Sequence, residues 1–245
     1  MKKFFKISGI ILGVIVAIGF IAYLVFNEPL PTGEMGSKAD QLADKMLNAI
    51  NHEAYKNTRF LEWSMAGRHF YKWDKQLHKV EVKWEENIVV LYPSSPEKNE
   101  LIEPKNASDK QKSKLFKTAT DYFNNDSFWL IAPHKVYDPG VERRLVKYNN
   151  QDALLVTYTS GGSTPGDSYL WILNENGLPK SFKLWVSVLP IGGIEATWED
   201  WITMDSGLPL AKTRKILSFK LDMGKLKGYN IPTTDWEEFK PEPAS

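Results

Sequence analysis

From Ile7 to Phe26 the chain carries no charged side chain; Lys2, Lys3 and Lys6 precede this run, and Glu28, Pro29 and Pro31 follow it. About 20 apolar residues rising ~1.5 Å each span a ~30 Å hydrocarbon core. The pattern predicts a transmembrane helix over 7–26. Basic residues stay on the cytoplasmic side. Residues 1–6 are therefore expected in the cytoplasm, and the C-terminal part outside it, in the periplasm of a single-pass cell-membrane protein. A cleaved secretory signal has a shorter apolar core and a small-residue cleavage site. Here Ala17 and Gly19, the nearest match, lie inside the run, so the expectation is an uncleaved anchor.

Beyond the anchor, 27–36 holds two prolines and two glycines and reads as a linker. Ser37 with Asp40 three residues on reads as a helix start. Ala39, Leu42, Ala43, Met46, Ala49 and Ile50 then recur at helical spacing, to about Tyr55. Next the period changes to two. Strands are predicted over 59–65, 67–74 and 78–84, with a short fourth over 87–92; strict alternation marks antiparallel strands with one buried face. A proline-bearing loop, 93–107, leads to a capping box at Ser108 and Gln111. It opens a helix striped by Leu115, Phe116, Ala119, Tyr122 and Phe123. More strands are predicted over 128–132, 143–148, 153–159, 168–173, 181–188, 196–204 and 213–221. The tail, 232–245, is proline-rich and acidic, and reads as a surface strap or a disordered end. One α+β domain over 37–231 results.

Turn positions set which side chains meet. A turn over 74–77 places Trp73 opposite His78, Tyr71 opposite Val80 and His69 opposite Val82. Asn176-Gly177 suits a tight hairpin and places Trp171 opposite Phe182 and Tyr169 opposite Leu184. Ser206-Gly207-Leu208-Pro209 echoes Asn176-Gly177-Leu178-Pro179 and predicts a second hairpin of the same kind in one sheet. One sheet face is thus dense in large apolar groups: Trp63, Tyr71, Trp73, Val82, Trp84, Tyr169, Trp171, Phe182, Leu184 and Trp198. These are the candidate ligand-binding residues, because two helices leave part of so large a face open to a ligand. Equally, such positions build an ordinary core.

Composition narrows the choice. The 245 residues include no cysteine, which excludes disulfides, thiolate metal sites and a lipidated N-terminal cysteine. Net charge is +1, with nothing that suggests nucleic acid as a partner. All nine tryptophans lie beyond residue 26, which suits a β-rich domain.

Catalytic and metal chemistry finds little support. His69 and His78 share a predicted face but lie roughly 13 Å apart along it, too far for one metal. Glu195 and Glu199 are spaced alike, while paired glycosidase carboxylates need about 5–9.5 Å. The glycine-rich 161–166 segment lacks a P-loop lysine and reads as a mobile hairpin loop. No cofactor, metal or enzymatic activity is expected.

The strand-turn-strand Trp171-Ile172-Leu173-Asn174-Glu175-Asn176-Gly177-Leu178-Pro179, after an anchor, a helix, several strands and a second helix, resembles the lipoprotein-carrier superfamily of LolA and LolB. Trp171, Gly177, Leu178 and Pro179 carry the match, within roughly 37–221. The resemblance implies a curved antiparallel sheet, an incomplete β-barrel, with helices on its concave face and an acyl-binding hollow. LolA is soluble and LolB is lipid-anchored, whereas this chain keeps an apolar segment. The expected partners are the bilayer through 7–26, a lipid or acyl-chain ligand, and an envelope protein. The alternative is an interaction domain with a filled core.

Overall fold

The computed structural model describes residues 8, 13, 14, 19, 23–160 and 164–231. The basic segment 1–6, most of the expected membrane helix, the glycine-rich positions 161–163 and the tail 232–245 lie outside the described residues. Among the described residues no helix is long and apolar enough to cross a membrane.

The first helical stripe becomes two helices, α1 (Ser37–Ala49) and α2 (His52–Asn57). They part at Asn51, whose φ of 48° leaves the helical region and whose side chain accepts from Ala54 N. Ser37 is not the N-cap. Gly36 holds that position, with no side-chain cap. The second capping box forms as expected: Ser108 Oγ accepts from Gln111 N, and Gln111 Oε1 accepts from Ser108 N. It opens α3 (Asp109–Ile131), which runs through the stretch expected as a strand over 128–132. Phe128 and Leu130 continue the packing stripe of a helix already formed, and that tertiary packing outweighs their strand propensity.

Two antiparallel sheets make up the rest. The first contains β1 (Phe60–Met65), β2 (His69–Asp74), β3 (Lys79–Trp84), β4 (Asn87–Leu91), β5 (Glu100–Glu103) and β14 (Lys227–Tyr229), in the order β14-β1-β2-β3-β4-β5. β5 and β14 were not expected; their sequences are too short to show a period. The second contains β6 (Val141–Tyr148), β7 (Gln151–Tyr158), β8 (Ser168–Leu173), β9 (Pro179–Trp185), β10 (Ile194–Thr197), β11 (Glu199–Thr203) and β12 (Pro209–Ile216), ordered β11-β12-β10-β9-β8-β7-β6, with β13 (Phe219–Asp222) paired to β12. The strand expected over 196–204 is two: it breaks at Trp198, whose N donates to Lys180 O, and β11 then pairs with β12. The one expected over 213–221 is a hairpin, turning at Leu217 (φ 53°).

The Asn176-Gly177 register holds: Trp171 pairs with Phe182 and Tyr169 with Leu184. Its echo is a second hairpin of the same pattern. Gly177 N donates to Asn174 O and Asn174 N to Leu178 O; Gly207 N donates to Met204 O and Met204 N to Leu208 O. The β2–β3 register differs. Tyr71 pairs with Val82, Trp73 with Val80 and His69 with Trp84. The reason is local: Asp74 Oδ1 accepts from Gln76 N and Leu77 N, and the loop extends to His78, at φ 47°. An even shift leaves every side chain on its expected face.

The sheets do not close into a barrel. They are joined where β13 runs on toward β14. Ser64 N donates to Met223 O at 3.0 Å and Ala66 N to Asp222 O at 2.9 Å. Nor does 27–36 hang free. Glu34 bridges Leu145 on the outer edge of β6, and Glu28 pairs with buried Lys183 on β9.

Candidate functional site

The ten predicted residues divide between two hydrophobic clusters. Trp63, Tyr71, Trp73, Val82 and Trp84 pack with Ala119, Phe123 and Leu130 of α3. Tyr169, Trp171, Phe182, Leu184 and Trp198 pack with Ala39, Ala43 and Met46 of α1. Trp73 is half-buried; the other nine are buried. The rings meet one another: Trp63 stacks on Tyr71 at 4.5 Å between centroids, and Trp171 meets Phe182 at 5.0 Å and Trp198 at 5.1 Å. Trp129 of α3 touches both clusters and lies at their junction.

Arg214 at that junction was not singled out from the sequence. On β12 it is 0 % exposed, with its guanidinium 3.4 Å from the centroid of Trp198. It donates to Ala211 O and Thr213 O on its own strand and, across the junction, to Trp129 O at 2.8 Å. No carboxylate pairs with it among the described residues. Burial therefore disfavours its charged form and pushes its pKa well down. Arg214 Nε, Thr213 Oγ1, Tyr158 Oη and the indole nitrogens of Trp63, Trp171, Trp198 and Trp201 are buried with no hydrogen-bond partner among the described residues. Each such group costs about 1–3 kcal/mol. The only hint in the sequence was Arg214 within a run of apolar and polar strand residues, which resembles any surface charge.

The titratable groups considered earlier have other partners. His69 Nδ1 lies 2.7 Å from Asp126 Oδ2, which also accepts from Tyr71 Oη at 2.5 Å. Asp126 is buried on α3, so this cluster clamps the helix to β2. Burial, then the Asp126 charge and hydrogen bond, raise the Tyr71 pKa. His78 is remote from these groups, in the β2–β3 turn. Glu195 accepts from Ser181 Oγ at 2.5 Å, and Glu199 pairs with Lys215 at 2.8 Å. A second histidine pair was not anticipated: His52 and His134 bring their Nδ1 atoms to 3.2 Å, with Tyr55 stacked on His134 at 4.3 Å. Residues from α2 and the turn after α3 meet there, so no sequence spacing announces it. A polar surface concavity of about 530 Å³, lined by Gln41, Asp44, Lys45, Asn48, Ala49 and Asn176, includes none of the ten.

No family model matches this chain, and no curated protein does. Among solved structures, a DUF1329 family protein from Desulfovibrio piger is similar at 10% sequence identity, over 82% of this chain and 96% of that one, with a TM-score of 0.41.

Proposed function

We propose that the chain is a membrane-tethered envelope protein whose outer domain takes up an amphiphile, an acyl chain with an anionic head, between its two sheets. In this reading the sheets form one open, curved wall, an incomplete barrel, and α3 is the element that moves. One observation carries it. The aromatic interior holds a buried arginine without an acid among the described residues, bonded to Trp129 O where the two cores meet, and unpartnered buried donors in both cores. A permanent core gains nothing from such groups. A carboxylate or phosphate beside Arg214 pairs its charge and its Nε, while each buried CH₂ of a chain contributes ~0.8 kcal/mol. No covalent step is involved.

The mutual packing of Trp171, Phe182 and Trp198 favours a second reading, a filled domain that binds an envelope protein through its surface. Photoactivatable fatty acids separate the two. Membranes containing the full chain are irradiated with a diazirine acid or its methyl ester, and the adducts are mapped. Adducts of the acid on peptides bearing Trp129 and Trp198, lost in Arg214→Met while the ester adducts persist, support the carrier. Adducts confined to 7–26 for both probes support the filled domain.

A further inference from the structure

Three neighbouring connections close the same end of the second sheet. Leu184 pairs with Ile194, so the loop 186–193 lies just beyond. Ala196 pairs with Ile216, which carries the β12–β13 turn past that end as well. Ser168 pairs with Trp185, so the β7–β8 connection ends there too. On two of these connections Val188 is 73 % exposed, Leu189 42 % and Leu217 80 %, and Phe219, which opens β13 beside the turn, is 72 % exposed. Scattered apolar side chains on a surface need no account; four at two adjacent tips of one sheet end do. Leu217 also sits at positive φ, where asparagine or glycine is the easier choice for a turn facing water.

The course of the chain indicates what these tips face. Asn27 directly follows the charge-free run 7–26. Its side-chain oxygen accepts from Gly192 N at 2.9 Å, and Glu28 N donates to Gly192 O at 3.1 Å. Trp185 Nε1 donates to Glu28 O at 2.7 Å. The exit from the apolar run is thus fastened to the loop that carries Val188 and Leu189. The approach is close: a Cβ on Gly193 would stand 2.6 Å from Glu28 Cβ. Behind the Leu217 and Phe219 tip, Lys215 and Lys220 face each other across the hairpin, with Lys215 also paired to Glu199. Apolar tips backed by lysines match a phosphate layer above hydrocarbon.

We infer that this end of the domain docks on the surface of the bilayer that the N-terminal segment enters. Val188, Leu189, Leu217 and Phe219 lie among the acyl chains, and Lys215 and Lys220 lie at the phosphates. The inference rests on reading 7–26 as a membrane anchor, and it adds a second contact that fixes the orientation of the domain.

The absence of cysteine makes the test direct, since any introduced thiol is unique. The full chain is placed in vesicles of phosphatidylcholine and phosphatidylglycerol, with a nitroxide on Ser218→Cys, Val14→Cys or Glu175→Cys. Collision with oxygen is then compared with collision with a nickel chelate. The expected result is lipid depth at positions 14 and 218 and water at 175, in the turn at the opposite end of the sheet. Adding Leu217→Asp and Phe219→Asp should abolish the depth signature at 218 only. Lipid depth at 14 with water at 218 overturns the docking and leaves the anchor standing. Water at 14 overturns the anchor and the docking with it. Shielding of 218 from both quenchers reports a protein cover, from a second copy or a partner, and overturns the lipid assignment.

Discussion

Arg214 lies in the interior, bonded to three backbone carbonyls and seated over the face of Trp198. Replacing a buried charge by an apolar group of similar volume is often neutral or stabilising. Arg214→Met is therefore expected to keep or raise the thermal midpoint. A loss above about 2 kcal/mol would assign the arginine a purely structural role. At His134 the prediction concerns pH. Burial, and then His52 and Lys75, hold its imidazole well below the ordinary 6.5. Just below pH 6.5 the unfolded chain therefore binds more protons than the folded one. Stability contributed by the neutral ring is present above that value and is lost as pH falls toward the folded pKa. Urea midpoints should decline as pH falls below about 6.5, less steeply in His134→Phe, which keeps the stack on Tyr55. Equal slopes in the two proteins would place the pH dependence elsewhere.

At the scale of elements, the β8–β9 turn does more than reverse the chain. Gly177 holds φ 90°, and a Cβ there would lie 2.7 Å from Lys45 O, backbone of α1. Only glycine tolerates both the conformation and the approach. Gly177→Ala should cost more than about 1 kcal/mol, whereas Gly207→Ala in the echoing turn meets nothing within 4 Å and should bear the backbone strain alone. Chemical denaturation of the two variants checks the difference. Comparable losses would mean that the contact with α1 is soft.

At the scale of the molecule, two clusters share one fate if their connections are firm. The run from β13 to β14 bonds to both sheets, and Trp129 touches both cores. Trp63→Ala in one cluster and Trp171→Ala in the other should each remove about 3–5 kcal/mol. Both should shift a single transition, seen alike by fluorescence and far-UV circular dichroism. Two separated transitions in either variant would show that the halves unfold independently.

How much of this was readable from the chain depends on the range of the interaction. The β8–β9 hairpin and its register, the Ser108 capping box and the burial of Val80, Val82 and Trp84 follow from neighbours a few residues apart, and they were legible as period and turn chemistry, whereas the β12–β13 hairpin and the β2–β3 register were not. The ten candidate residues were recognisable as inward-facing apolar positions, but the single sheet face expected for them is two sheets with two cores. Their division between α3 and α1 was not recognisable, because it depends on which helix covers which sheet. The full reach of α3, the pairing of β14 with β1, the clamp at Asp126, the His52–His134 contact and the isolation of Arg214 were hidden for the same reason. Each joins residues 55 or more positions apart, except the helix, whose last turns hold through contacts made across the fold. Local sequence determines secondary structure where a repeat of two or 3.6 residues is long enough to be recognised. Only the packed structure decides which charges lose water and which side chains meet.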